Sequence, residues 1–179
     1  IAEGAHPILA IEQPELRLHP TMAASLWGIL ELLPGQRIVT TNSPQLLAGA
    51  PLSALRRLTR HGDQVVVHRL RRKTLNIEEL RRIAFHMRLL QGASLFARCW
   101  LLVEGESEVW LVAELARQCG YVLPAEGVAC ITFAQCGLDP IIRLADDLGI
   151  AWHVLVDGDA AGERYAHMAR HELRGRPEE

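Results

Sequence analysis

Two short acidic runs hold the residues best suited to chemistry. Glu104-Gly105-Glu106-Ser107-Glu108 follows the apolar run Trp100–Val103, and Asp157-Gly158-Asp159 follows the apolar run that ends at Val156. Carboxylates at such spacing repel one another unless a cation, a hydrogen-bond donor or water screens them. Glu104 and Glu108 are four apart, so the first turn of a helix carries Glu108 back towards Glu104. Asp159 lies two beyond Asp157, with Gly158 free to bend the chain between them. Four oxygen ligands around one point suit a hard cation, Mg2+ or Mn2+. No His or Cys falls in either run, which argues against zinc. Taken singly, each run has a plainer reading. A negative first turn is favoured by the helix dipole, which accounts for Glu106, and Asp-Gly-Asp alone reads equally well as a turn.

The elements that must position these residues follow from the pattern after Trp100. WLLV reads as a strand and Ser107–Cys119 as a helix stopped by Gly120. VACITF is a second strand, Leu138–Leu148 a helix stopped by Gly149, AWHVLV a third strand, and Ala160–Leu173 a last helix. This β-α-β-α-β-α order with short loops predicts a parallel sheet covered on both faces. Sites in open parallel sheets lie at the carboxyl ends of the strands. If the first and third strands are neighbours, Glu104 and Asp157 face one crevice.

The first half has a different texture. Pro7–Ile11 reads as a strand ended by EQPE, and Thr21–Leu33 as a helix with Thr21 as cap and Pro34-Gly35 as stop. Arg37–Thr40 is a short strand, followed by a polar turn and a helical turn in TNSPQLL. Leu55–Arg60 and Gln64–Leu70, joined by HGD, predict a β-hairpin. Ile77–Leu90 has the helical period, with Leu80, Ile83, Ala84 and Met87 on one face.

The chain has 179 residues, 49% hydrophobic and 22% charged, the composition of an ordinary globular protein. No run approaches the roughly 18 apolar residues of a membrane span, and the N-terminus lacks the basic start of a signal peptide. The net charge of −2 hides a division. Residues 1–98 carry 13 Lys+Arg against 7 Asp+Glu, whereas residues 99–179 carry 6 against 14. The cations are densest over Arg56–Arg98, which is either a solvated face or a track for a polyanion. Cys99, Cys119, Cys130 and Cys136 form no CxxC pair, and the apolar neighbours of Cys99 and Cys130 predict buried, reduced thiols in a cytosolic protein. His6, His61, His68, His86, His153, His167 and His171 lack paired ligand spacing and are expected to be structural or exposed. Trp27, Trp100, Trp110 and Trp152 are expected in the core. No serine sits on a G-x-S-x-G turn.

An apolar strand ending in Glu104-Gly105, then one ending in Asp157-Gly158-Asp159, resembles the Toprim domain of primases, type II topoisomerases and related nucleases. Glu108, in VEGESE, and Gly162, after DGDAAG, are similar to the version in nucleases of the OLD (overcoming lysogenization defect) family. Gly137, in FAQCGLDP, sits where that family often has a glycine near its site. The resemblance implies that Glu104, Glu108, Asp157 and Asp159 are metal ligands, with Glu104, Asp157 and Asp159 catalytic. It also implies that two Mg2+ or Mn2+ ions serve phosphodiester hydrolysis.

ILAIEQPELRLHP resembles the Walker B and D-loop region of ABC-type ATPases in the OLD-family form, and TTNSPQLL their switch segment. The resemblance implies that Glu12 assists Mg2+ at bound ATP, that His19-Pro20 belongs to the D-loop, and that Asn42 stands where the switch histidine is usual. Gln13 occupies the position of the catalytic glutamate. An amide cannot accept a proton from an attacking water as a carboxylate does, so slow hydrolysis or a nucleotide-sensing dimer clamp is expected. The chain contains no GxxxxGK[ST], and that Walker A loop is expected upstream of Ile1 in a longer protein. RGRPEE is expected to precede a final Toprim strand.

The expected architecture is therefore α/β throughout. Residues 1–50 form the end of an ABC-type ATPase domain, 51–98 a basic connector of hairpin and helix, and 99–179 a Rossmann-like Toprim domain. The expected function is a metal-dependent DNA endonuclease that grips the phosphate backbone without reading sequence, in a cytoplasmic homodimer formed through the ATPase domain. The alternatives are a non-catalytic, ATP-gated DNA-binding or regulatory module, or another Toprim enzyme of primase or topoisomerase type. The latter needs a tyrosine nucleophile, and neither Tyr121 nor Tyr165 has a basic setting. A phosphotransferase using Asp157 is disfavoured by Ala160-Ala161 after DGD and by the lack of any Lys beyond Lys73.

Overall fold

The computed structural model describes residues 7–87 and 92–173. Ile1–His6, the end of the predicted Ile77–Leu90 helix beyond Met87, and the terminal RGRPEE lie outside the described residues.

In the first half, β1 (Ile8–Glu12) and β2 (Gln36–Thr40) pair in parallel, with Glu12 opposite Thr40. Between them runs α1 (Pro20–Glu31). It begins one residue earlier than Thr21, because His19 is its N-cap: His19 is extended, as a residue before proline must be, and its Nδ1 accepts from the Thr21 N–H at 3.4 Å. Ser43 caps the short α2 (Pro44–Gly49) in the same way, through the Leu46 N–H at 3.3 Å.

The hairpin of β3 (Arg57–His61) and β4 (Gln64–His68) turns at Gly62, whose φ is +60°. Its strands pair antiparallel in a register that puts Arg57, Thr59, Val66 and His68 on one face. That face docks on the second half of the chain. The Arg57 guanidinium donates to the Leu148, Gly149 and Ala97 carbonyls at 2.8–3.0 Å. A cation at the carboxyl end of a helix meets the negative pole of its dipole. His68 lies so close to Gly149 that a Cβ there would fall 2.2 Å from the ring, and Gly149 has φ +62°, so only glycine fits.

The second half is the predicted parallel α/β unit. The strands β5 (Cys99–Val103), β6 (Val128–Thr132) and β7 (Ala151–Leu155) form a sheet of order β6-β5-β7, with β5 paired to both neighbours. The helices are α4 (Glu106–Gln118), α5 (Leu138–Asp147) and α6 (Ala160–Leu173). One hydrophobic core runs from the connector into this unit. Leu52, Ile83, Met87 and Leu95 pack with Trp100, Leu102, Ile131, Phe133 and the inner face of α5. The predicted face of α3 (Ile77–His86) is the one buried, with Ile83 wholly inaccessible. Trp100 is fully buried and donates to the Ser94 carbonyl at 2.9 Å. Trp110 is not in the core: it is 76% exposed on the outer side of α4, a helix with no buried residue. Its apolar flanks mark a stripe of the helix that faces away from the sheet. Cys99 and Cys130 are half-buried rather than buried, and burial pushes both thiols up, as it does that of Cys136. Among the described residues no helix is long and apolar enough to cross a membrane.

Two carboxylates join connector and sheet. Asp147, whose side chain is inaccessible to solvent, accepts from the Arg71 N–H at 2.8 Å, from the Arg71 guanidinium and from the Thr74 hydroxyl. Glu79 closes the capping box of α3 on the Asn76 N–H and takes the Arg143 guanidinium of α5, both at 2.8 Å. Burial raises the Glu79 carboxyl, but the Asn76 N–H, Arg143 and the charge of Arg82 outweigh it and hold the group below the ordinary carboxylate range. A depressed folded pKa contributes stability above the unfolded value, about 4.3 for Glu. That contribution is lost as pH falls through the folded value. Glu79→Gln is therefore expected to cost about 1 kcal/mol at neutral pH. In urea titrations at stepped pH, the difference from wild type should shrink as pH drops below the ordinary carboxylate range.

Candidate functional site

The site is built on the pairing of β5 with β7. Val103 lies opposite Leu155 in parallel register, so Glu104 and Asp157 leave the sheet from adjacent strands at the same edge. The loop after β6 closes the third side: Phe133 N–H donates to the Val103 carbonyl at 3.0 Å and Ala134 N–H to the Glu104 carbonyl at 3.3 Å. Glu104 is thus half-buried on the central strand, while Asp157 and Asp159 are exposed.

The other two acids have backbone tasks of their own. Glu108 turns back over the first turn of α4, and its Oε2 accepts from the Gly105 N–H at 2.8 Å. Asp159 caps α6: its Oδ1 accepts from the Ala161 and Gly162 N–H groups at 2.9 and 2.8 Å. Gly162 is required here for space. A Cβ at that position would lie 1.8 Å from the Asp157 carbonyl oxygen, so the glycine lets α6 start directly against the Asp157 loop. Gly137, with φ +85°, begins α5 at the same end of the sheet.

Among the described residues, no three His, Cys, Asp or Glu side chains already form a group able to hold a metal ion. The donor set nevertheless fits Mg2+ or Mn2+. It consists of carboxylates alone, on strand tips open to solvent. Mg2+ in particular binds through one or two carboxylates, with water and substrate phosphate completing its shell, rather than in an all-protein cage. The hydrogen bonds of Glu108 and Asp159 use one oxygen of each carboxylate.

Sequence reasoning passed over Asp139. It stands in the first turn of α5, at the carboxyl end of β6, and its Oδ1 is buried without a hydrogen-bond partner among the described residues. The sole signal was an acid placed soon after a strand end, as for Glu104 and Asp157. Beneath this edge, buried His86 and Thr132 meet at 3.4 Å.

The predicted nucleotide-side residues are spread along the other parallel pair. Glu12 is exposed at the tip of β1. Gln13 turns the chain with φ +41° and donates its N–H to the Thr40 carbonyl at 2.9 Å. His19 serves α1 as its cap, and Asn42 is exposed just beyond β2. The side chain that ties the two tips together is one sequence reasoning missed, Glu15. Its Oε1 accepts from the Thr41 hydroxyl and from the Asn42 N–H at 3.3 Å, and its Oε2 is buried without a partner among the described residues. It was legible only as the second acid of EQPE.

A parallel sheet with Glu-Gly and Asp-Gly-Asp on adjacent strand tips defines a Toprim-type α/β domain. Residues 95–159 match the family model described as "Overcoming lysogenization defect protein-like, TOPRIM domain", and residues 1–94 match that described as "Protein of unknown function (DUF2813)". The chain belongs to the DUF2813 family and is an OLD-family protein with a Toprim domain. It is similar to the uncharacterized protein YbjD of Escherichia coli (strain K12), with 53% identity over 168 residues, or 94% of this chain. The chain spans 30% of that relative's length.

Two outcomes test the site's construction. Asparagine caps a helix as well as aspartate does, so Asp159→Asn is expected to keep the melting temperature while Asp159→Ala loses about 1 kcal/mol. Calorimetry on both variants separates the cap from the charge. Gly162→Ala must displace the Asp157 carbonyl, and is expected to lower stability by several kcal/mol or to move the Asp157 loop, read by melting temperature and by amide chemical shifts.

Proposed function

We propose that this chain carries the cutting centre of a metal-dependent endonuclease that hydrolyses DNA phosphodiester bonds, coupled to an ATP-binding module. The observation that supports it best is the placement of Glu104 and Asp157 on adjacent parallel strand tips, within the segment similar to OLD-like Toprim domains.

Glu104, Asp157, Asp159 and Glu108 would hold Mg2+ or Mn2+, as one ion or two. A divalent ion bound there supplies positive charge for the phosphate oxygens and lowers the pKa of a bound water. The chain's own residues prepare for this. Glu104 is held in place through its carbonyl, so its carboxylate projects from a fixed strand end. Asp157 reaches solvent, where a phosphate arrives. Glu108 and Asp159 are pinned by backbone N–H groups, which reduces the side-chain freedom lost when they bind a cation. Until it is neutralised, this cluster repels DNA, and the cations of the connector offset that repulsion and grip the backbone without regard to sequence.

On the nucleotide side, Glu12 would assist Mg2+ at ATP, with Gln13, His19 and Asn42 around it. Gln13 has no carboxylate to accept a proton, so the ATP module acts chiefly as a clamp that joins two copies of a cytoplasmic protein. The same amide favours a second reading, a non-catalytic, ATP-gated DNA-binding module.

Plasmid nicking by the full-length protein decides between them. With Mg2+ or Mn2+, wild type is expected to convert supercoiled DNA to nicked or linear forms, and Glu104→Ala and Asp157→Ala to lose at least about a hundredfold in rate. Wild-type cutting no better than either variant, with DNA binding intact, would put the second reading ahead.

A further inference from the structure

The densest cations of the chain do not lie at the carboxylate tips. Arg56–Lys73 holds seven Lys and Arg against one Asp, and its later part, Arg69–Lys73, crosses the carboxyl end of α5. There it walls a groove of about 920 Å³ with α5 and the end of α6. Helices of a parallel α/β unit run opposite to its strands, so this groove opens at the amino ends of β5 and β7, whereas Glu104 and Asp157 lie at the carboxyl ends. Five-residue strands separate the two by about 16 Å, roughly half a turn of B-form duplex.

The groove is lined by Arg69, Arg71, Lys73 and Arg143, and also by the acids Asp146, Asp147 and Glu172. The charges are unequally engaged. Asp147 is taken by Arg71 and Thr74, Asp146 accepts from the Trp152 indole at 3.0 Å, and Glu172 faces His171 at 3.9 Å. Arg143 is held by Glu79 and the Thr74 carbonyl. Arg69 and Lys73 are exposed, and neither has a hydrogen-bond or ion-pair partner among the described residues. The loop that bears them is fixed at Arg71 and Thr74, both bound to inaccessible Asp147. Two unengaged cations on an anchored loop are preorganised to receive anions spaced along a chain.

We infer that this groove is a second DNA-backbone site, distal to the cutting centre, in which Arg69 and Lys73 take phosphates of the same duplex that reaches Glu104 and Asp157. The inference rests on the proposed action on DNA but not on cutting. A duplex lying along the flank of the sheet spans both ends. Contacts to the distal site then fix how the duplex is presented to the carboxylates, with no base read.

The test is fluorescence anisotropy of a labelled 25-base-pair duplex with the full-length protein in EDTA across a salt series, beside plasmid nicking with Mg2+. Arg69→Glu/Lys73→Glu is expected to weaken binding about tenfold and to reduce the salt slope by about 2, near 0.9 per lost phosphate contact. Arg17→Glu/Arg117→Glu makes an equal charge change at exposed positions outside both the connector and the groove and is expected to move both far less. Equal losses in the two double variants, an unchanged Arg69/Lys73 variant, or no duplex binding by wild type would each overturn the inference. If wild type cuts while the Arg69/Lys73 variant binds and cuts as well as wild type, the groove falls and the nuclease stands. If wild type binds through the groove and cuts nothing, the nuclease falls and the groove stands. Circular dichroism melts verify that the variants fold.

Discussion

The parallel register of β5 with β7 is the constraint on which the rest of the site depends. With Val103 opposite Leu155, two acids more than fifty residues apart in the chain emerge side by side. A slip of one residue would turn every side chain of β7 to the other face, exchanging half-buried Trp152 and Val154 for His153. The core therefore enforces the register, and the register positions the carboxylates. The hydrogen bonds from Phe133 and Ala134 extend the same order into the loops at the edge that bears the charges.

Two of the acids have structural tasks. Glu108 and Asp159 each satisfy backbone N–H groups that a helix start leaves unpaired, and each is a charge at the positive end of a helix dipole. These contacts lower the cost of gathering negative charge in one place. Gly162 is the complement of that arrangement, since the close start of α6 against Asp157 leaves no room for a side chain.

The connector is part of the same physical unit as the sheet. Its helix contributes Ile83 and Met87 to the core, its hairpin caps α5 through Arg57, and its loop is held by Asp147. A basic segment so attached cannot swing freely, so its charges act from fixed positions. Arg69, Arg71 and Lys73 thus lie towards the amino ends of the strands, and Glu104 and Asp157 at the carboxyl ends.

The alternation of apolar runs with helical segments, closed by Gly120 and Gly149, was enough to specify a parallel α/β unit, because burial on both faces of a sheet demands continuous apolar strands. Glu104 and Asp157 stood out because an acid directly after an apolar strand has no packing purpose, and Glu108 and Asp159 because their spacing carries them back towards the same edge. Local pattern could not supply the order β6-β5-β7, which depends on how strands far apart in sequence pair. Nor could it show that Trp110 faces outward, since an apolar residue in a helix is read as buried until the neighbouring layer is known. His19 replaced Thr21 as a cap through the geometry that Pro20 imposes, which a residue-type preference does not carry. Glu15, Asp139 and the anchoring of Arg71 by Asp147 rest on contacts across the tertiary structure. Composition and spacing determined which chemistry the chain can support. Only the packing of distant segments decided which acids meet, which cations remain unengaged, and at which end of the sheet each set lies.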